Sequence, residues 1–160
     1  MKIWVDADAC PVVIRDIIYR AAKRTGLETI LVANAPISVP ESALISFVQV
    51  PAGLDVADQE IVQKLSAGDL VITSDIPLAA EVIENGGQAL SPRGELFTAG
   101  DIRNRLSIRD FMNTLRATGV ETGGPPPMSQ KDSSQFANQF DKFLTAYMKS
   151  IEKKARNEQQ

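Results

Sequence analysis

Residues 68–75 read GDLVITSD, and this stretch decides the fold. Leu70, Val71 and Ile72 form an unbroken apolar run between a glycine-led turn and Thr73-Ser74-Asp75. An uninterrupted run of β-branched and aliphatic residues is the pattern of a strand covered on both faces, as in a parallel sheet. Residues 75–85 then carry helical periodicity and stop at Gly86-Gly87, after which Gln88-Ala89-Leu90 reads as another short strand. Upstream, the same alternation recurs. Residues 2–6 (KIWVD) are a strand followed by a helix over about 10–25, with Pro11 in its first turn and Gly26 as its stop. Residues 29–33 (TILVA) and 47–50 (FVQV) are two more strands, separated by a Pro-containing loop over 34–43, and a helix follows over about 55–66.

Strands alternating with helices predict an α/β fold with a parallel five-stranded sheet covered on both faces. After residue 91 the pattern changes. Pro92-Arg93-Gly94-Glu95 is turn chemistry, and helical spacing resumes at Asp101 with a break expected at Ser107, where Ser107 and Asp110 are spaced as a capping box. Thr122-Gly123-Gly124 and Pro125-Pro126-Pro127 make a loop or stiff connector. A last helix, capped by Ser133 or Ser134, carries Phe136, Phe140, Phe143, Leu144, Tyr147, Met148 and Ile151 on one face, which is expected to pack on its own domain. The expected organisation is one domain over 1–150, with a core over 1–91, a helical extension over 101–150 and a frayed polar tail over 151–160.

The chain has 160 residues, 17 Lys and Arg against 20 Asp and Glu, and a net charge of −3, so a uniformly basic nucleic-acid coat is excluded. There is no histidine and only one cysteine, Cys10. Imidazole catalysis, His-ligated zinc and intramolecular disulfides are thereby excluded. Cys10 is expected to be a packed, inert thiol. The apolar run Ile3-Trp4-Val5 ends at Asp6, too short for a signal peptide, and no stretch is long enough to span a bilayer, so a cytoplasmic protein is expected.

In an open α/β sheet, ligands bind beyond the carboxyl ends of the strands, where the strand order reverses. Asp6 and Asp8 leave the first strand and Asp75 leaves the fourth. Asp58 lies on an apolar helical stripe with Ile61 and Val62, where a carboxylate is out of place unless it is used. Asp8 and Asp75 can each be a helix cap or a ligand, and Asp55 reads as a cap. Four acids gathered at one rim repel: two unit charges 4 Å apart cost about 1 to 4 kcal/mol between the dielectrics of water and a protein surface. A hard divalent ion relieves this, and oxygen ligands without His or Cys suit Mg²⁺ or Mn²⁺. Asp6, Asp8, Asp58 and Asp75 are therefore candidate metal ligands, and metal-assisted phosphodiester hydrolysis is the natural reaction class. Asn34 would either hydrogen-bond one of the acids or close a turn. Arg93, Arg103, Arg105, Arg109 and Arg116 are the residues available to track a phosphate backbone, or else form a solvated face.

Taken together, the segments MKIWVDADACPV (1–12), LVAN (31–34), VPAGLDVADQEIV (50–62), GDLVITSDIPLAAEVI (68–83), PRGE (92–95), RDFMNTLR (109–116) and TGGPPP (122–127) resemble the YaiI/YqxD family of bacterial proteins. That family in turn resembles the PIN-like nucleases. The resemblance implies a three-layer sandwich with sheet order 3-2-1-4-5. It also implies catalytic acids at Asp6, Asp58 and Asp75, a Mg²⁺ or Mn²⁺ cofactor and an RNA or other phosphodiester substrate, with Asp8 and Ser74 as further site residues. Asn34 and Arg93, which would fall near the same crevice if that sheet order holds, and Arg109 from the phosphate-tracking set are the candidate substrate-binding residues beside Ser74. The further acid that many such nucleases carry after the fourth strand has only Glu95 as a counterpart here. Two other readings compete. The segment from Ile3 to Asp8 also fits the first motif of haloacid-dehalogenase-type phosphatases, with Asp6 as nucleophile, Asp8 as general acid and Thr73 or Ser74 holding the phosphate. A non-catalytic RNA- or protein-binding module is the third.

Overall fold

A computed structural model describes residues 1–159. The elements are β1 (Ile3–Asp6), a 3-10 turn (Ala7–Ala9), α1 (Val12–Thr25), β2 (Thr29–Ala33), β3 (Ile45–Gln49), α2 (Val56–Lys64), β4 (Leu70–Ile72), α3 (Ile76–Glu84), β5 (Gln88–Leu90), β6 (Leu96–Phe97), α4 (Ile102–Ala117) and α5 (Gln130–Glu158). They form a six-stranded sheet of order β3-β2-β1-β4-β5-β6. The first five strands pair in parallel, in the expected order. The sixth corrects the five-strand expectation. Beyond the Pro92–Glu95 turn the chain doubles back and Leu96–Phe97 pairs antiparallel with β5. Two residues are too few to show a strand period, so this element is hidden in the sequence.

Alternation along the strands divides the core. Ile3, Val5, Leu70 and Ile72 face α1 and α5, packing with Ile14, Ile18, Phe136 and Phe140. Trp4 and Val71 face the other way, with Ile61, Leu78, Val82 and Ile102 from α2, α3 and α4. Trp4 is core, as expected, and its indole N–H donates to Asp69 Oδ2 at 3.1 Å. The buried Asp69 also accepts from the Lys2 and Ser66 amides, at 2.9 and 2.8 Å, tying together the amino-terminal ends of β1 and β4. Gly26 ends α1 in the left-handed region, as expected.

Three expectations about the carboxyl-terminal third are corrected. First, α4 is unbroken at Ser107, whose hydroxyl donates to the Arg103 carbonyl at 3.1 Å inside the helix and so does not cap a new one. Second, the cap of α5 is Ser129, not Ser133 or Ser134. The Asp132 amide donates to Ser129 Oγ at 3.2 Å, and the Ser129 amide donates back to Asp132 Oδ2 at 3.1 Å. Third, the polar segment from Lys153 to Glu158 continues α5 as exposed helix, and Gln160 lies outside the described residues. Among the described residues no helix is long and apolar enough to cross a membrane.

Candidate active site

Because Val5 pairs with Ile72, β1 and β4 end side by side, and Asp6 emerges next to Thr73. The buried Thr73 hydroxyl donates to Asp6 Oδ2 at 2.9 Å and accepts the Asp75 amide at 3.0 Å. One side chain thus links both acids. Its proton is given to Asp6. Asp75 caps α3, its Oδ1 accepting the Leu78 amide at 3.0 Å. The sequence left cap and ligand as alternatives here, and the geometry allows both, because Oδ2 takes no protein hydrogen bond among the described residues.

Asp58 enters from the first turn of α2, half-buried beside the fully buried Ile61. Burial above all, then the charges of Asp75, Asp6, Asp55 and Glu81, push its carboxyl up to about 7. Burial also raises Asp6; the Thr73 hydrogen bond opposes this, and Asp75 and Asp8 add to it. Asp58 and Asp6 thus both sense the charge of Asp75, and Asp58 also senses that of Asp6. Among the described residues none of them pairs with a Lys or Arg. Nor do any three acids or thiols there stand in a ready-made metal cage.

Other expected residues have different duties. Asp8 sits within the 3-10 turn and does not cap α1; its oxygens accept the Asn34 and Ala35 amides at 2.8 and 3.2 Å. Asn34 thus meets an acid through its backbone. Asp55 occupies the N-cap position of α2 in the left-handed region (φ 61°), but its side chain accepts no cap bond, which corrects the capping expectation. Ser74 is exposed at the rim. Arg93 is clamped by Asp132 Oδ2 at 2.9 Å and by the Pro126 carbonyl. Arg109 pairs loosely with Asp110 at 3.4 Å on the exposed part of α4. Cys10 is packed in the core, as expected, and burial pushes its thiol up to about 12, with Arg15 opposing and Asp6 adding. Thr73 as a bridge and Glu81 as a further acid were not foreseen. The only signal for Thr73 was a hydroxyl directly after a buried strand, and Glu81 depends on how α2 and α3 pack.

The state of Asp58 predicts a pH dependence. Folded, the carboxyl keeps its proton to about pH 7; unfolded, it loses it near pH 4. The folded chain therefore binds more protons across that window. Asp58's contribution to stability is complete below about pH 4 and is lost as pH rises through about 7. In chelator, Asp58→Asn should raise the unfolding free energy at pH 8 by about 1–2 kcal/mol, after allowing for solvent screening, and leave pH 4 nearly unchanged. Urea unfolding at both pH values checks this, and equal pH slopes in the two proteins would contradict it.

Comparison with known proteins places this chain in a family. A UPF0178 protein of Thioalkalivibrio sulfidiphilus is 66% identical over 144 residues, covering 90% of this chain and 98% of the relative. A UPF0178 protein of Syntrophotalea carbinolica is 62% identical over 148 residues, covering 92% and 100%. One of Halorhodospira halophila is 64% identical over 144 residues, covering 90% and 95%. No solved structure matches the chain. The family described as "Uncharacterized BCR, YaiI/YqxD family" matches residues 4–146, and the chain belongs to it.

Proposed function

We propose that the chain is a divalent-cation-dependent phosphodiesterase acting on RNA or a related phosphodiester, with Asp6, Asp58 and Asp75 as its working carboxylates. The observation that carries this reading is their convergence from β1, α2 and the β4–α3 junction with no cationic side chain paired to any of them among the described residues. The strand order β3-β2-β1-β4-β5, which the PIN-like resemblance implies, supports it as well.

The donor set is all oxygen, which fits Mg²⁺ or Mn²⁺. When bound, such an ion supplies an acidified water and neutralises charge at the phosphoryl group. The protein's own part is positioning. Thr73 fixes the orientation of Asp6, and the Leu78 amide holds one oxygen of Asp75 and leaves the other free. Asp58 completes the set from the facing helix. Asp8 holds the loop after β2 against the 3-10 turn and so shapes the rim.

A metal titration followed by thermal unfolding tests the reading. Mn²⁺ or Mg²⁺ at a hundredfold excess over its Kd should stabilise the wild type by about 2.7 kcal/mol. The increment should shrink in Asp6→Asn, Asp58→Asn and Asp75→Asn, and hydrolysis of a single-stranded oligonucleotide should fall with it. A wild type whose unfolding neither ion moves would refute the proposal.

A further inference from the structure

Beside the acids lies a cleft of about 350 Å³ whose composition differs sharply from theirs. Ala9 and Ser74 form the side next to Asp6 and Asp75, while Pro92, Phe97, Pro125 and Met128 make apolar walls. Its polar groups are held in place. Arg105 lies over the Phe97 ring at 5.0 Å, anchored by Glu95 at 2.9 Å and Asp101 at 3.1 Å. Arg93 is matched by Asp132. Both guanidinium charges that reach the cleft are thereby balanced, so it is not an anion trap. Ser91 is 7% exposed. Its hydroxyl accepts the Arg93 and Glu95 amides at 3.2 and 3.0 Å and, among the described residues, donates to nothing.

We propose that this cleft is a subsite for one unstacked nucleobase, an inference that rests on the phosphodiesterase reading for the neighbouring phosphate. A nucleotide has a charged part and a neutral planar part, and the protein offers an acid rim for a cation-bound phosphate beside a charge-balanced, apolar-walled slot. The volume is at the small end of ligand pockets and accepts a single nucleoside, not a duplex. A guanidinium held over an aromatic ring by two carboxylates offers a stacking surface for a base. Glu95 and the unspent Ser91 hydrogen supply an acceptor and a donor for its edge. The substrate class that follows is a single strand, entering with one base splayed out.

The test is binding, read in chelator so that no metal takes part. Adenosine and uridine are titrated into protein carrying ¹³C-methyl methionine, and the Met128 methyl is followed against that of Met148. At least one nucleoside should shift Met128 saturably, with a Kd of about 0.1–1 mM, and leave Met148 in place. Ribose 5-phosphate should not shift it. Ala9→Trp, which fills the cleft from an exposed position, should weaken nucleoside binding at least tenfold, whereas Asp6→Asn and Asp75→Asn should not. No shift with either nucleoside up to about 10 mM would overturn the proposal. So would an equal shift with ribose 5-phosphate, or nucleoside binding unaltered by Ala9→Trp. Failure of the metal titration with nucleoside binding intact would remove the phosphodiesterase reading alone; the reverse pattern would remove this one alone.

Discussion

Phe136→Ala is expected to cost about 3–5 kcal/mol of stability, the range for emptying a fully buried aromatic site. Phe136 is 0% exposed and Phe140 1%, their ring centroids are 5.2 Å apart, and both pack in the same cluster as Ile3, Val5, Ile14 and Ile18. The amphipathic face of α5 is thus an integral layer over one face of the sheet. The matched control is Met148→Ala, one turn past the buried stripe and 38% exposed, which should cost no more than about 0.5 kcal/mol. Urea unfolding with unchanged m values separates the two. A cost below about 1 kcal/mol for Phe136→Ala would mean that α5 does not cover the sheet.

The second large effect is expected at Gly94, where the turn after β5 meets α5. Its φ of +84° lies in the left-handed region, and an added Cβ would stand 2.6 Å from both the Gln135 carbonyl carbon and the Phe136 nitrogen. These are backbone atoms of a helix and cannot rotate away. Gly94→Ala combines about 1 kcal/mol of conformational cost with about 1–3 kcal/mol of overpacking, about 3 kcal/mol together. Gly26 isolates the first part: its φ is +73°, but nothing lies within 4 Å of a Cβ there. Gly26→Ala should therefore cost only about 1 kcal/mol. If thermal unfolding showed the two variants equally destabilised, the close approach between the Pro92–Glu95 turn and α5 would be disproved.

The parallel strands were legible because β1, β2 and β4 are mostly apolar runs and helical spacing recurs between the β-rich segments, whereas their order came only from the family resemblance. Asp58 was legible for the opposite reason, a carboxylate where the stripe wants an aliphatic. Asp6 and Asp75 followed from strand ends alone. What escaped depends on contacts between segments distant in sequence. The Thr73 bridge needs β1 and β4 in register. The engagement of Arg93 needs the first turn of α5 beside the Pro92–Glu95 turn, and it turns an expected substrate contact into a clamp. Asp8 looked like a cap for α1 because both stand within a few residues, yet its oxygens face the amides after β2. Local rules locate acids. They do not say which hydrogen bonds an acid already holds.

The Arg93 clamp has a consequence of its own. It joins the turn after β5, the Pro126 carbonyl and the first turn of α5 through one guanidinium. Pro125, Pro126 and Pro127 have ring-locked φ angles, so the segment had little backbone freedom even before it was seized. Its ordering cost is settled when the chain folds. The nucleobase proposed for the neighbouring cleft would meet a wall ordered in advance and would forfeit little chain entropy on entry, so few contacts would suffice to hold it.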